Sequence, residues 1–163
     1  AEIITRIVID APTAAVWGVV TDVDAFAQWN PMAARGSGVP RPGETFTLWL
    51  RLGPGRPKPV TCQVYDWEPE RLFCWGNGLA PLLTVKHYVQ LKDRGDGSTA
   101  VVHGERFDGV LGWLVRALAA REARYHAFNR ALAARVAMVM ALASTLGAHA
   151  GCLPTLSAWR FAA

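Results

Sequence analysis

The stretch GVLGWLVRALAAREARYHAFNRALAARVAMVMAL, residues 109–142, decides how the rest of the chain is read. It is rich in Ala, Leu and Arg and holds no proline, so a helix is expected over about Gly109–Leu142. At about 100° per residue, Leu114, Leu118, Tyr125, Leu132 and Val136 share one narrow face, while Arg116 and Arg130 lie near the opposite side. Glu122 and Asn129 fall at the margin of that apolar face, roughly 40–60° from Tyr125 by the same arithmetic. A stripe this long has to rest on an equally long apolar surface, either a solid core or the wall of a pocket.

The sequence before this helix supplies such a surface. Glu2–Asp10 (EIITRIVID) alternates, with Ile3, Thr5, Ile7 and Ile9 on one face, and reads as a strand. Asp10-Ala-Pro12-Thr13 breaks it. Pro12 suits a first helical turn, and Asp10 or Thr13 is a candidate cap. Two short helices follow, Ala14–Val20 and Val23–Trp29, the second ended by Asn30-Pro31. Ala33–Arg41 is expected to hold a short irregular strand. Glu44–Leu52, Val60–Trp67, Arg71–Trp75, Leu82–Leu91 and Ser98–Phe107 then read as strands separated by Gly- and Pro-rich turns. Short turns make neighbouring strands antiparallel. The expectation is an α+β domain in which a curved antiparallel sheet of about seven strands wraps the long helix. Residues 1–143 form that domain, and 144–163 are an apolar C-terminal extension.

Composition narrows the function classes. The 163 residues suffice for one domain with a real core, and 52% are hydrophobic. Seven tryptophans are many for this length, and they suit either core filling or an apolar ligand pocket. The net charge of +4 is spread along the chain without a Lys/Arg block, so nucleic acid is not an expected partner. Cys62, Cys74 and Cys152 are odd in number and widely spaced. They argue against a disulfide framework and for a reducing, cytoplasmic setting. No C-x-x-C, H-E-x-x-H or strand–GxGxxG–helix pattern is present, so neither a metal nor a cofactor is expected. The N-terminus lacks a basic segment followed by an apolar run, and no uninterrupted run of about eighteen apolar residues marks a span. Stable membrane insertion is therefore not expected.

Several local strings carry a family resemblance. Ile7-Val-Ile-Asp-Ala-Pro12, Val16-Trp17, Thr21-Asp22 and Trp29-Asn30-Pro31 resemble the opening of the START-like superfamily, and more narrowly of its polyketide cyclase/dehydrase branch among the SRPBCC proteins. His87-x-Val89-x-Leu91, Glu105-x-Phe107-x-Gly109 and Phe128-Asn129-x-Ala-Leu132 are similar to later landmarks of that group. The resemblance covers about residues 2–140. It implies the helix-grip fold and a deep apolar cavity between sheet and helix. Members include aromatase/cyclases, lipid carriers and hormone receptors, and their catalytic residues differ, so no catalytic set carries over. The chain departs from the pattern after Ala143, where Leu153, Leu156, Trp159 and Phe161 make an apolar tail. That tail is expected either to pack back on the domain, or on a second copy to form a homodimer, or else to be a frayed end.

Strand parity then nominates the residues facing the cavity. His87 shares a face with Val85, Val89 and Leu91, and Trp75 with Phe73. On the last strand the resemblance favours the face of Val101, His103, Glu105 and Phe107 as inward. The expected ligand contacts are Trp29, Trp75, His87, His103, Glu105, Phe107, Leu118, Tyr125 and Asn129. Among them Glu105, His103 and His87 are the catalytic candidates. Burial raises a carboxyl pKa and lowers that of a lone imidazole, whereas pairing does the reverse, so a Glu–His set can exchange protons near neutrality. The bland alternative is that these groups only satisfy one another.

Three functions remain open. The first is binding of a hydrophobic, lipid- or polyketide-like small molecule. The second is an aromatase/cyclase or dehydratase working by acid–base catalysis. The third is an interaction module using the curved sheet or the tail.

Overall fold

The computed structural model describes residues 1–114 and 122–150, with backbone alone for 147–150. The elements run β1 (Glu2–Ile9), α1 (Thr13–Thr21), a 3-10 turn (Val23–Ala25), α2 (Phe26–Trp29), β2 (Ala33–Ser37), β3 (Thr45–Leu50), β4 (Lys58–Glu68), β5 (Leu72–Leu79), β6 (Leu83–Asp93), β7 (Thr99–Asp108) and α3 (Glu122–Ala150). The seven strands form one antiparallel sheet in the order β1-β7-β6-β5-β4-β3-β2. Each strand after β1 pairs with its sequence neighbour, and β1 closes onto the last strand, as short turns require. The architecture is the helix-grip arrangement, an open sheet gripping a long C-terminal helix.

Alternation places the inward faces where the sequence put them. Ile3, Thr5 and Ile9 of β1 are buried while Ile4 and Val8 face out. Val89 and Leu91 of β6, and Val101, His103 and Phe107 of β7, are buried as well. The register is continuous in β1·β7, β5·β6 and β6·β7, so parity survives along every strand that carries a candidate site residue. The irregularities lie elsewhere, between Ala33 and Arg35 in β2 and between Val64 and Asp66 in β4. The bulge in β4 shifts parity by one, which turns Trp67 into the core against Trp17 and Phe73. Gly36 lies where β2 crosses the 3-10 turn. A Cβ there would sit 1.8 Å from the Val23 carbonyl oxygen, so no other residue permits that approach.

Helix α1 begins at Thr13 without a side-chain cap. Pro12 holds the N-cap position, and the Thr13 hydroxyl instead donates to Glu70 at 3.2 Å. Asp22 does cap, accepting from the Ala25 amide at 3.3 Å.

The long helix differs most from expectation. Leu114, expected in the apolar stripe, is 41% exposed, because it precedes α3 beyond the end of β7. Leu118 and Arg116 lie outside the described residues. From Tyr125 onward the expected stripe residues Tyr125, Leu132 and Val136 are buried, and Phe128, which the stripe did not include, is buried with them at i, i+3/i+4 spacing. Past Val136 the helix leaves the sheet and continues through Ala143 to Ala150, with Met138, Val139, Met140, Leu142 and Leu146 exposed. Residues 144–150 are thus a continuation of the domain's helix, and 151–163 lie outside the described residues. By length and mean hydropathy, 1.2 over its most apolar window, Glu122–Leu146 also suffices to cross a membrane. A search for uninterrupted apolar residues passes over that property. The buried stripe accounts for its apolarity in the half that meets the sheet.

Leu132 is fully buried and Met138 is 45% exposed on the same helix. Leu132→Ala is expected to cost about 2–5 kcal/mol, and Met138→Ala to stay within about 0.5 kcal/mol. Urea denaturation of the two variants checks this difference. Equal losses would mean that α3 packs along a different face.

Candidate functional site

Two neighbouring rows of the sheet build the site. Pairing register lines up Val64, Trp75, His87, Glu105 and Ile3 across β4, β5, β6, β7 and β1. The next inward row holds Phe73, Val89, His103 and Thr5. His87 and His103 are therefore diagonal neighbours on adjacent strands, within reach of long side chains. Helix α3 adds Tyr125 and Asn129, four residues apart and so on one face. Each meets one row. The Tyr125 hydroxyl donates to Glu105 Oε2 in a short contact, and Asn129 Oδ1 lies 2.9 Å from His103 Nδ1.

The inner row is a closed polar chain. His103 is fully buried, its Nε2 2.6 Å from His87 Nε2. Asn129 Nδ2 donates to the Thr5 hydroxyl at 3.0 Å, and that hydroxyl donates to the His103 carbonyl at 3.0 Å. Aromatic rings enclose it. Phe128 stacks on His103 at 4.1 Å and Trp75 tilts against His87 at 4.5 Å. The outer row opens onto a cavity of about 320 Å³ between the sheet and α3. Leu48, Leu50, Val60, Cys62, Trp75, Val85 and Phe107 form its apolar wall, and His87, Glu105, Tyr125, Arg124, Asn30 and Asn77 its polar parts. The volume falls within the range of small-molecule sites. Arg124 donates to the Arg51 carbonyl at 2.7 Å, which ties α3 to the end of β3.

Burial governs the titration of these groups. Desolvation, followed by the charge on His103, holds His87 well below the usual imidazole range. Desolvation lowers His103 from 6.5 to about 4, although hydrogen bonds to Asn129 and to the Tyr125 backbone pull it partly back. Glu105 is raised by burial, with the Tyr125 hydrogen bond and the Arg124 charge opposing the shift. Tyr125 is raised by burial and by the neighbouring Glu105 carboxyl. Both imidazoles are thus neutral at pH 7, and a carboxyl whose proton is held more tightly than usual stands beside them. Burial also pushes Cys62 up to about 12 and Cys74 up to about 11, which leaves both as neutral thiols rather than nucleophiles.

Of the residues nominated from sequence, Trp75, His87, Glu105, Phe107 and Tyr125 line the cavity together. His103 and Asn129 do not line it. They stand behind His87 as its support, because the diagonal register puts His103 one row further in. Trp29 lies away from the cavity, wedged between Phe26 at 5.3 Å and Phe128 at 5.1 Å where α2 meets α3. It packs there and borders a second, separate cavity beside α1. Leu118 lies outside the described residues. The sequence reading missed Thr5, which alternation marked as inward, and Arg124, the neighbour of Tyr125. It also missed the β3 and β4 wall, which carries no polar signal. Among the described residues no cluster of three or more His, Cys, Asp or Glu could hold a metal.

A curved sheet gripping a long helix over an apolar cavity with one polar corner is the helix-grip fold. The chain belongs to the polyketide cyclase / dehydrase and lipid transport family, whose profile matches residues 1–137. Its fold is similar to that of a START superfamily protein from Mycobacterium smegmatis, with TM-score 0.68 and 17% identity over 85% of this chain and 98% of that one. It is also similar to Zhui aromatase/cyclase from Streptomyces sp. R1128, with TM-score 0.66 and 15% identity over 83% of this chain and 93% of that one. The di-domain ARO/CYC BexL from the BE-7585A biosynthetic pathway gives TM-score 0.66 and 19% identity over 86% of this chain and 47% of that one. At these identities the likeness is one of fold. Comparison with curated protein sequences gives no match.

The depressed His103 pKa makes stability pH-dependent with a defined sign. Above pH 6.5 the imidazole is neutral both folded and unfolded, so it contributes no pH dependence there. As pH falls from 6.5 toward about 4 the unfolded chain takes the proton first, and stability declines through that window. The loss from His103 is on the order of 3 kcal/mol, and His87 acts in the same direction. Urea midpoints measured between pH 7 and pH 4 check this. His103→Leu, which cannot titrate, is expected to show a shallower decline, and an unchanged slope would refute the assignment.

Proposed function

We propose that this protein binds a hydrophobic, lipid- or polyketide-like small molecule in the cavity between the sheet and α3. The observation that carries the reading is the largely apolar cavity of about 320 Å³ whose few polar groups include His87, Glu105 and Tyr125 side by side. Apolar walls supply affinity and a few polar groups fix orientation. The family's description, which joins polyketide cyclases and dehydrases to lipid transport, is consistent with this ligand class.

The second reading is catalysis by an aromatase/cyclase or dehydratase on a polyketide-like substrate. It is favoured by one observation: a neutral imidazole and a carboxyl whose proton affinity burial raises face each other on the cavity wall, His87 Nδ1 4.0 Å from Glu105 Oε1. Such a pair can remove a proton from a carbon next to a carbonyl and deliver another to a departing or developing oxygen. Here His87 takes the catalytic place that sequence gave jointly to His87 and His103, and His103 orients it.

Displacement of a fluorescent apolar dye tests the binding reading. Val60→Trp, which fills the cavity from β4, is expected to weaken dye binding at least about tenfold while the fold is kept, as a loss of most apolar contact implies. Dye bound equally by this variant would place binding elsewhere. For the catalytic reading, turnover of a poly-β-ketone probe is expected to vanish in Glu105→Gln. Turnover that persists in both Glu105→Gln and His87→Ala would remove acid–base chemistry from this site.

A further inference from the structure

The hydrogen-bond chain behind the cavity has a direction, set by a backbone carbonyl. The His103 carbonyl can only accept, so the Thr5 hydroxyl donates to it. With its proton so committed, Thr5 Oγ1 accepts from Asn129, which orients the amide with Nδ2 toward Thr5 and Oδ1 toward His103. Asn129 Oδ1 then accepts from His103 Nδ1–H. A neutral imidazole protonated at Nδ1 has its lone pair at Nε2, and that nitrogen lies 2.6 Å from His87 Nε2. One of the two nitrogens has to carry hydrogen, and it is the one on His87. The lone pair of neutral His87 is left at Nδ1, which faces Glu105 Oε1 at 4.0 Å beside the cavity. That gap is too long for a direct hydrogen bond and short enough for one oxygen atom to lie within reach of both groups.

We propose that Asn129, acting through His103, locks His87 in the Nε2–H tautomer, so that Nδ1 is a fixed acceptor and the site selects apolar ligands carrying a hydroxyl, as in an enol or phenol. Asn129 and Thr5 are positioning residues that touch no ligand. The proposal rests on the cavity-binding reading above and adds the chemistry of its polar corner. A ketone or ether oxygen cannot donate to Nδ1, so a molecule offering only such an oxygen leaves this acceptor unpaired on binding. The low proton affinity of both imidazoles keeps them neutral, as a single fixed tautomer requires.

Two measurements on the full chain test it. Nitrogen-15 NMR of the histidine rings is expected to find His87 protonated at Nε2 and bare at Nδ1. In Asn129→Leu a substantial Nδ1–H population of His87 is expected to appear. A proton at Nδ1 in the unaltered protein overturns the proposal whatever the cavity binds. In parallel, 2-naphthol and 2-methoxynaphthalene, nearly equal in apolar surface, are titrated. The naphthol is expected to bind about tenfold more tightly, an advantage of the size that one satisfied hydrogen bond supplies. That preference is expected to shrink severalfold in Asn129→Leu while the methyl ether binds as before. Equal binding of the two probes by the unaltered protein overturns hydroxyl selection and leaves cavity binding standing. Binding of neither overturns both readings. A preference unchanged in Asn129→Leu removes Asn129 from the role assigned to it.

Discussion

An imidazole sealed from water needs partners for both of its nitrogens, and the site follows from how this fold meets that need. His103 has no exposed surface and packs against the Phe128 ring. Leaving either nitrogen unpaired there would cost about 1–3 kcal/mol. Asn129 comes from the helix, Thr5 from the first strand and His87 from the sixth. Three elements distant in sequence are thereby held in one register. The same demand places polar groups in the middle of an otherwise apolar interior, next to the cavity.

Aromatic packing surrounds this chain and continues through it. Trp17, Trp67, Phe73, Trp75, His87, His103, Phe128 and Trp29 follow one another at ring separations of 4.1–5.3 Å. Four of the seven tryptophans therefore pack in or against the core, while Trp113 is exposed. Trp75 is the tryptophan of this run that reaches the cavity wall. The two imidazoles continue the stack as well as the hydrogen-bond chain, which explains why they tolerate such burial. Their rings supply apolar faces while their edges are satisfied in plane. Desolvation is also the largest cause of their low basicity, so packing and acid–base character have a common origin.

The cavity persists because the helix seals only part of the sheet. Phe128, Leu132 and Val136 close it at one end, near β1 and the short helices. Tyr125 meets Ile3 and Phe107 in a separate small cluster, and Tyr125 and Phe107 also border the cavity. Leu48, Leu50, Val60 and Cys62 of β3 and β4 make one side apolar, while His87, Glu105, Arg124 and Tyr125 of β6, β7 and α3 supply most of the polar groups, besides Asn30 and Asn77. A ligand bound there would have one apolar side and one polar side, which is the property both functional readings use.

Much of this is legible in the chain alone. Alternation in EIITRIVID and in His87-x-Val89-x-Leu91 sorts residues onto two faces, while on the Val101–Phe107 strand both faces carry apolar residues and the family resemblance chose the inward one. The spacing of Tyr125, Leu132 and Val136 names the helix stripe, because each periodicity is a local property of backbone geometry. The family strings add the order of the elements. Periodicity cannot supply register between strands, and register makes His87 and His103 diagonal neighbours, with one on the cavity and the other behind it. It cannot foresee the bulge in β4 that turns Trp67 inward, or the departure of α3 from the sheet after Val136 that leaves Met138 and Leu142 in the open. Nor does spacing along the chain reveal that Thr5 and Asn129, 124 residues apart, share a hydrogen bond. Those features depend on which distant partners each residue meets, and only the folded chain brings those partners together.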